Sequence, residues 1–348
     1  HLARPDGTRI WLTPPSFALR DVARDLTLDG TQEELSPDGL NEIIYADLVH
    51  DLRQEGFVVH AFAFDFRRRA RDIAADLAEA LIALGPDRRF VFVAHSMGAI
   101  VAAMYPYVDP DWEGRVERAI FLGGTLGGTF EVVDAALGHH PIIGRLSHLS
   151  MQNDPAEYAA CMRTWPGLYD MLPDPSLFSG GEKAFDPEAW PDAIRPAKGL
   201  LEDAKKTREQ LKTSPLFDIP TAQILSVRFS TADEYDSNGI GPASRDAMGD
   251  GTVPARTAGF GGADVYRVEL PHTLIPMDPA AIRAVIDLVT TGETELPRVT
   301  DDEKKGRVEG TEPTLDDIVW EYLLTTFANP ARMGRVIWLC MLLGPPKW

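Results

Sequence analysis

Apolar residues recur at helical spacing from about Leu40 to Glu55, with Ile43, Ile44, Leu48 and Leu52 on one face. Ser36-Pro37-Asp38 is the expected start of this helix and Gly56 its end. The pattern then changes to a continuous run, Phe57 to Phe64, rich in aromatic and β-branched residues, which predicts a buried strand. Helical spacing returns from Arg69 to Leu84 and stops at Gly85-Pro86. Next comes Phe90 to Ala94, a second strand that runs into His95-Ser96-Met97-Gly98, followed by helix from Ala99 to Tyr105. Ala119 to Leu122 predicts a third strand, ending in Gly123-Gly124-Thr125-Leu126-Gly127-Gly128. Strands that alternate with helices of this length need crossover connections, so the sheet is expected to be mainly parallel and covered on both faces. The fold class is α/β.

From Thr129 to Ser214 the strand signal disappears, and short helical stretches replace it, among them the charged segment Leu200 to Leu211. This reads as a mostly helical cap, residues 129–214, inserted into a core formed by residues 1–128 and 215–292. Strand-like sequence resumes at Ile219 to Val227 and Asp264 to Leu270, before a helix from Pro279 to Val289. Residues 293–348 are expected to be a polar linker, from Glu293 to Thr314, and a C-terminal extension of two short helical segments ending at Leu343.

The 348 residues carry 53 acidic and 34 basic side chains, a formal charge of −19. Nucleic acid is therefore an unexpected partner, because neutralising phosphates requires a basic face. The two cysteines, Cys161 and Cys340, form neither a disulfide framework nor a zinc-ligand spacing, which favours a reducing compartment and a cytoplasmic location. No apolar run reaches the ~20 residues that a membrane-spanning helix requires, the longest being Val336 to Leu343.

Against this background Ser96 stands out. A hydrophobic strand, a sharp turn and a small-residue helix are the setting of a nucleophile elbow, and Gly98 leaves room for the turn. Ala94 takes the place of the usual first glycine. A serine needs a base, and the base needs an orienting carboxylate; in this arrangement they follow in the order Ser, acid, His. Asp250, flanked by Gly249 and Gly251, is the favoured acid, with Asp233, Asp236 and Asp246 as rivals in the same loop. His272, directly after a strand, is the favoured base, ahead of His139, His140 and His148. His95 reads as packing or loop support. The backbone N–H of Met97 is the expected oxyanion donor. Within the cap, Trp165, Leu168, Tyr169 and Met171 are candidates to line a substrate acyl chain, or else simply cap core. The histidines lack ligand partners at metal-binding spacing, the glycine-rich turn lacks a phosphate-loop signature, and neither a metal nor a cofactor is expected.

Together these motifs resemble the lecithin:cholesterol acyltransferase-like branch of the lipase-class α/β-hydrolases. The resemblance rests on Trp11-Leu12, on Phe64-Asp65-Phe66-Arg67 where the family has Tyr-Asp-Trp-Arg, on Ala94 to Gly98, on Leu122 to Thr129, and most specifically on Gly249-Asp250-Gly251-Thr252-Val253-Pro254. It spans about residues 10 to 290. It implies an α/β-hydrolase fold with Ser96 as nucleophile, Asp250 as acid and His272 as base. It also implies a strand and an oxyanion loop preceding His1, and it departs from this sequence at Thr125, where the family has proline. The expected function is that of a serine hydrolase of carboxylic esters, a lipase, phospholipase or acyltransferase acting on lipid or other ester molecules. The alternative is a hydrolase-fold interaction module without turnover, with a neighbouring domain or partner chain contacting the N-terminus and the C-terminal extension.

Overall fold

The computed structural model describes residues 1–11, 14–30, 34–178, 180–235, 240 and 247–307. The helical segments expected toward Leu343 lie outside these residues, as do Asp236 and Asp246. Near the N-terminus three short strands, β1 (Leu2–Ala3), β2 (Arg9–Trp11) and β3 (Ser36–Pro37), form a small antiparallel sheet in the order β2-β1-β3. Ser36 is thus part of a strand. The helix that follows runs Glu42–Gln54 and is capped by the Asn41 side chain, which accepts from the Ile43 N–H at 3.1 Å. The Asn41 amide oxygen takes up one of the four backbone donors that a helix start leaves unpaired, a service for which Ser36 lies too far upstream.

The central sheet is parallel, in the order β4-β5-β6-β9, where β4 is Phe90–His95, β5 Val116–Leu122, β6 Thr221–Ser226 and β9 Asp264–Val268. The four strands match the hydrophobic runs, and helices pack on both faces of the sheet. Helices Ala70–Leu84 and Gly98–Met104 cover one face, through Ile73, Leu81, Ile100 and Phe121. Helices Glu42–Gln54 and Pro279–Thr290 cover the other, through Leu48, Leu52, Ile224 and Val285. Two further short strands, β7 (Phe229–Thr231) and β8 (Ala247–Gly249), pair antiparallel and lead directly to Asp250. Asp250 therefore follows β8.

One predicted strand forms no ladder. Phe57 to Phe64 alternates as a strand should, with Phe57 and Val59 packed on one apolar layer and Phe62 and Phe64 on the other. Val91 and Val93 of β4 join the first layer, and Phe90 and Ala94 the second. The two segments thus share both layers, yet no described residue pairs with the free edge of β4. Apolar alternation gives the side-chain arrangement, but a ladder also needs a hydrogen-bonding neighbour.

Between β5 and β6 the described residues form helices and turns, with Phe130, Leu146, Tyr158, Trp165 and Tyr169 in a separate apolar cluster that takes in Leu2, Ile10 and Leu26 from the N-terminus. Further on, residues 297–299 run beside β9, where Arg267 N–H donates to the Pro297 carbonyl at 2.9 Å and Val299 N–H to the Val265 carbonyl at 3.0 Å. This part of the polar stretch is laid along the sheet.

Candidate functional site

Ser96 is the one non-glycine residue with positive φ among the described residues, at 55°. That left-handed conformation is strained for a side chain and is kept only where its surroundings hold it. Here Ser96 N–H donates to the Leu122 carbonyl at 3.1 Å, and its own carbonyl accepts from Thr125 N–H at 3.3 Å and Ala99 N–H at 3.1 Å. The turn is therefore tied to the exit of β5 and to the helix it starts. Met97, next in the chain, opens that helix, where N–H groups have no partner from within the helix.

The other two predicted residues come to the same place. The Nε2 atom of His272 lies 2.9 Å from Ser96 Oγ, and its Nδ1 lies 2.8 Å from Asp250 Oδ2. The second oxygen of Asp250 accepts from Thr252 N–H at 2.9 Å and Val253 N–H at 2.6 Å. Asp250 is fully buried. A carboxylate only accepts, so the proton between Asp250 and His272 belongs on Nδ1, which leaves the Nε2 lone pair facing the serine hydroxyl. The main chain reinforces the pair, since His272 N–H donates to the Asp250 carbonyl at 2.9 Å.

A sequence profile of the Alpha/beta hydrolase family matches residues 13–296. The chain belongs to the alpha/beta hydrolase family. Among solved structures, this hydrolase is similar to the mature lipase BlEst2 of Bacillus licheniformis, with 17% identity, 73% of this chain and 92% of that chain covered, and a TM-score of 0.42. The Tle4–Tli4 complex shows 12% identity over 66% of this chain and 68% of that one, at a TM-score of 0.42. The phospholipase PlaB from Legionella pneumophila shows 13% identity over 63% and 43%, at 0.34. No curated protein matches.

The rival residues in the hydrolase have other duties. Asp233 pairs with Arg256 at 2.9 Å and Arg307 at 2.8 Å. His140 caps a helix by accepting from Ile142 N–H at 3.0 Å, while its Nε2 faces Glu131 at 2.7 Å. His148 sits on its own helix, 2.5 Å from the Gly144 carbonyl, and His139 donates its backbone N–H to the Asp134 carbonyl at 2.8 Å. Of the acyl-chain candidates, Trp165, Leu168 and Tyr169 belong to the apolar cluster between β5 and β6. Trp165 and Tyr169 have their polar ends satisfied within it, by the Leu26 carbonyl at 2.8 Å and the Arg163 carbonyl at 3.0 Å. Met171 packs against both this cluster and the one beneath Ser96.

Three features escaped the sequence reading. Gly123, with φ 54°, lies so close to the site that a Cβ there would stand 2.7 Å from His272 Nδ1 and 3.0 Å from Asp250 Oδ2. The glycine-rich turn thus makes room for the histidine and aspartate. Gly167 is the second residue of the short helix Pro166–Asp170, and a Cβ on it would meet the Phe66 and Arg68 carbonyls and the Met97 methyl. The close backbone approach seats this helix against the Phe66-to-Arg68 segment, with the Met97 side chain beside it. Below it, Arg208 is buried and donates to the Leu126 carbonyl at 2.6 Å and the Asp170 carbonyl at 2.7 Å. Burial pushes its guanidinium down to about 10, which keeps it charged at neutral pH. Burial likewise pushes the Cys161 thiol up to about 12, so it offers no thiolate. Among the described residues no three His, Cys, Asp or Glu side chains gather as a metal site, and no helix is long and apolar enough to cross a membrane.

Proposed function

We propose that this hydrolase cleaves carboxylic esters through an acyl-enzyme on Ser96. The observation that carries the reading is the continuous chain Ser96–His272–Asp250, with contacts of 2.9 and 2.8 Å. Ser96 Oγ attacks the ester carbonyl carbon as His272 Nε2 takes its proton. Asp250 holds the imidazole in the required tautomer, and Met97 N–H donates to the oxyanion of the tetrahedral intermediate. His272 then returns the proton to the departing alcohol as the C–O bond breaks, leaving the acyl group on Ser96. A water, or a lipid hydroxyl, attacks next by the same route.

The finer assignment is an ester with an extended apolar acyl chain, as in a phospholipid, in the manner of the acyltransferase-like branch. Its supports are the Asp65–Arg67 and Gly249-to-Pro254 motifs and the apolar segment between β5 and β6, which we read as a cap with Met171 at its inner boundary.

A fluorophosphonate probe tests the core of this reading, because it reacts with an activated serine. Wild type should label, Ser96→Ala should not, and His272→Ala should label far more slowly. Equal labelling of wild type and Ser96→Ala overturns the assignment. With p-nitrophenyl esters, kcat/KM should rise from acetyl to octanoyl; a preference for acetyl overturns the lipid reading alone.

A further inference from the structure

The residue before Ser96 is tied to the base. His95 Nε2 lies 3.2 Å from the His272 carbonyl, and its Nδ1 lies 2.7 Å from the hydroxyl of Tyr45, on the helix Glu42–Gln54. A carbonyl only accepts, so the His95 proton sits on Nε2, and Nδ1 is left to accept from the Tyr45 O–H. The tautomer of His95 is therefore fixed from both ends. With the bond from His272 N–H to the Asp250 carbonyl, both main-chain groups of His272 are held, one by the residue beside Ser96 and the other by Asp250 itself. The rings of His95 and His272 lie 4.8 Å apart, tilted by 33°.

We propose that Tyr45 and His95 form a positioning pair, which holds the His272 main chain so that its imidazole keeps hydrogen-bonding reach of Ser96 and Asp250 together. The inference rests on the proposed role of Ser96 and His272. Neither Tyr45 nor His95 touches a reacting atom. Their part is to hold a base whose displacement by ~1 Å costs up to about a hundredfold in rate. Neutrality is built into the arrangement, because a protonated His95 would stand beside the imidazolium formed at each proton transfer. Burial, and the facing His272, push His95 down to about 3, and burial keeps Tyr45 protonated.

The test compares wild type with His95→Leu, His95→Gln and Tyr45→Phe in the whole chain, measuring fluorophosphonate labelling rates and kcat and KM on p-nitrophenyl butyrate. His95→Leu and Tyr45→Phe should lower kcat and the labelling rate by roughly ten- to a hundredfold, with KM within about twofold. His95→Gln, whose amide N–H reaches the position of Nε2, should recover most of the loss suffered by His95→Leu. A merely structural role would not distinguish Gln from Leu in this way. The proposal is overturned when Tyr45→Phe and His95→Leu keep wild-type kcat, or when His95→Gln remains as slow as His95→Leu. Absence of labelling in wild type overturns the Ser96 reading and this proposal with it; labelling in wild type with unchanged variants overturns this proposal alone.

Discussion

The two flanks of Ser96 are built differently. On the β5 side, strand ends are joined by backbone hydrogen bonds: Ser96 N–H to Leu122, Gly123 N–H to the Ile224 carbonyl at 2.8 Å, and His272 N–H to Asp250. On the other side, Phe57 to Phe64 shares apolar layers with β4 but forms no ladder with it, and Val58 is 78% exposed. What anchors that flank is the pair just beyond it, where Arg67 grips Asp65 in bidentate fashion at 2.8 and 2.7 Å. Arg67 also donates to the Leu26 carbonyl at 3.3 Å and accepts from Gly167 N–H at 2.9 Å through its own carbonyl. The difference separates two tasks. Ladder ends set the distances between Ser96, His272 and Asp250, whereas a buried ion pair ties the N-terminal segment and the helix Pro166–Asp170 to the core.

If that separation holds, the largest effect belongs to the ladder side. Asp250→Asn keeps the volume of the side chain but can turn an NH₂ toward His272 Nδ1, favouring the wrong tautomer. The expected fall in kcat is about 10⁴-fold, as measured on an ester substrate, with little change in melting temperature. A fall below tenfold would remove Asp250 from the machinery.

The opposite flank should answer in stability. Arg67→Met leaves Asp65 buried without its partner, and breaking such a pair costs about 3–5 kcal/mol. Urea unfolding should report that loss, while labelling of Ser96 at low temperature stays within a few-fold of wild type. A loss of labelling as large as that of Asp250→Asn would show that the two tasks are not separate.

A smaller effect is expected at Gly123, which lies on the ladder side but bears no reacting atom. In Gly123→Ala the new methyl would press on His272 Nδ1 at 2.7 Å and leave the residue at a φ that L side chains rarely adopt. Labelling should slow by roughly a hundredfold. An unchanged rate would mean that His272 and Asp250 tolerate displacement.

The same contrast explains what could be read from the sequence. The meeting of Ser96, Asp250 and His272 was legible because each ends or follows a strand and the Gly-Asp-Gly setting narrows the choice of carboxylate. β4, β5, β6 and β9 were legible within a few residues, since buried parallel strands are continuous apolar runs. Phe57 to Phe64 has the same signature and still lacks a ladder, because pairing is decided by a neighbour and not by the segment itself. β7 and β8 were missed, because three residues are too few for a strand's alternation to show. Tyr45 and His95 meet across 50 residues of sequence, and no spacing rule joins a tyrosine in a helix's first turn to a strand end. Nothing around Gly123 in the sequence marks its role, since its reason lies in a histidine 149 positions later.

The smallest expected effect concerns pH and belongs to the junction of the flanks, where His95 meets Tyr45. An unfolded histidine takes up its proton near pH 6.5, whereas burial holds His95 down to about 3 in the folded chain. Between those values the unfolded state binds the extra proton, so folding stability contributed by this group is complete above pH 6.5 and falls as the pH drops toward 3. The slope is about 1.4 kcal/mol per pH unit, or about 2 kcal/mol between pH 6.5 and 5. Carboxylates titrate in the lower part of the same range, so wild type alone does not isolate the contribution of His95. The difference between wild type and His95→Gln does, because glutamine carries no proton to take up. Melting curves at pH 7 and pH 5 should show wild type losing more stability than His95→Gln over that interval. Equal losses in the two proteins would mean that His95 is hydrated enough to protonate in the folded state, and the junction would then be as open as the Phe57-to-Phe64 flank beside it.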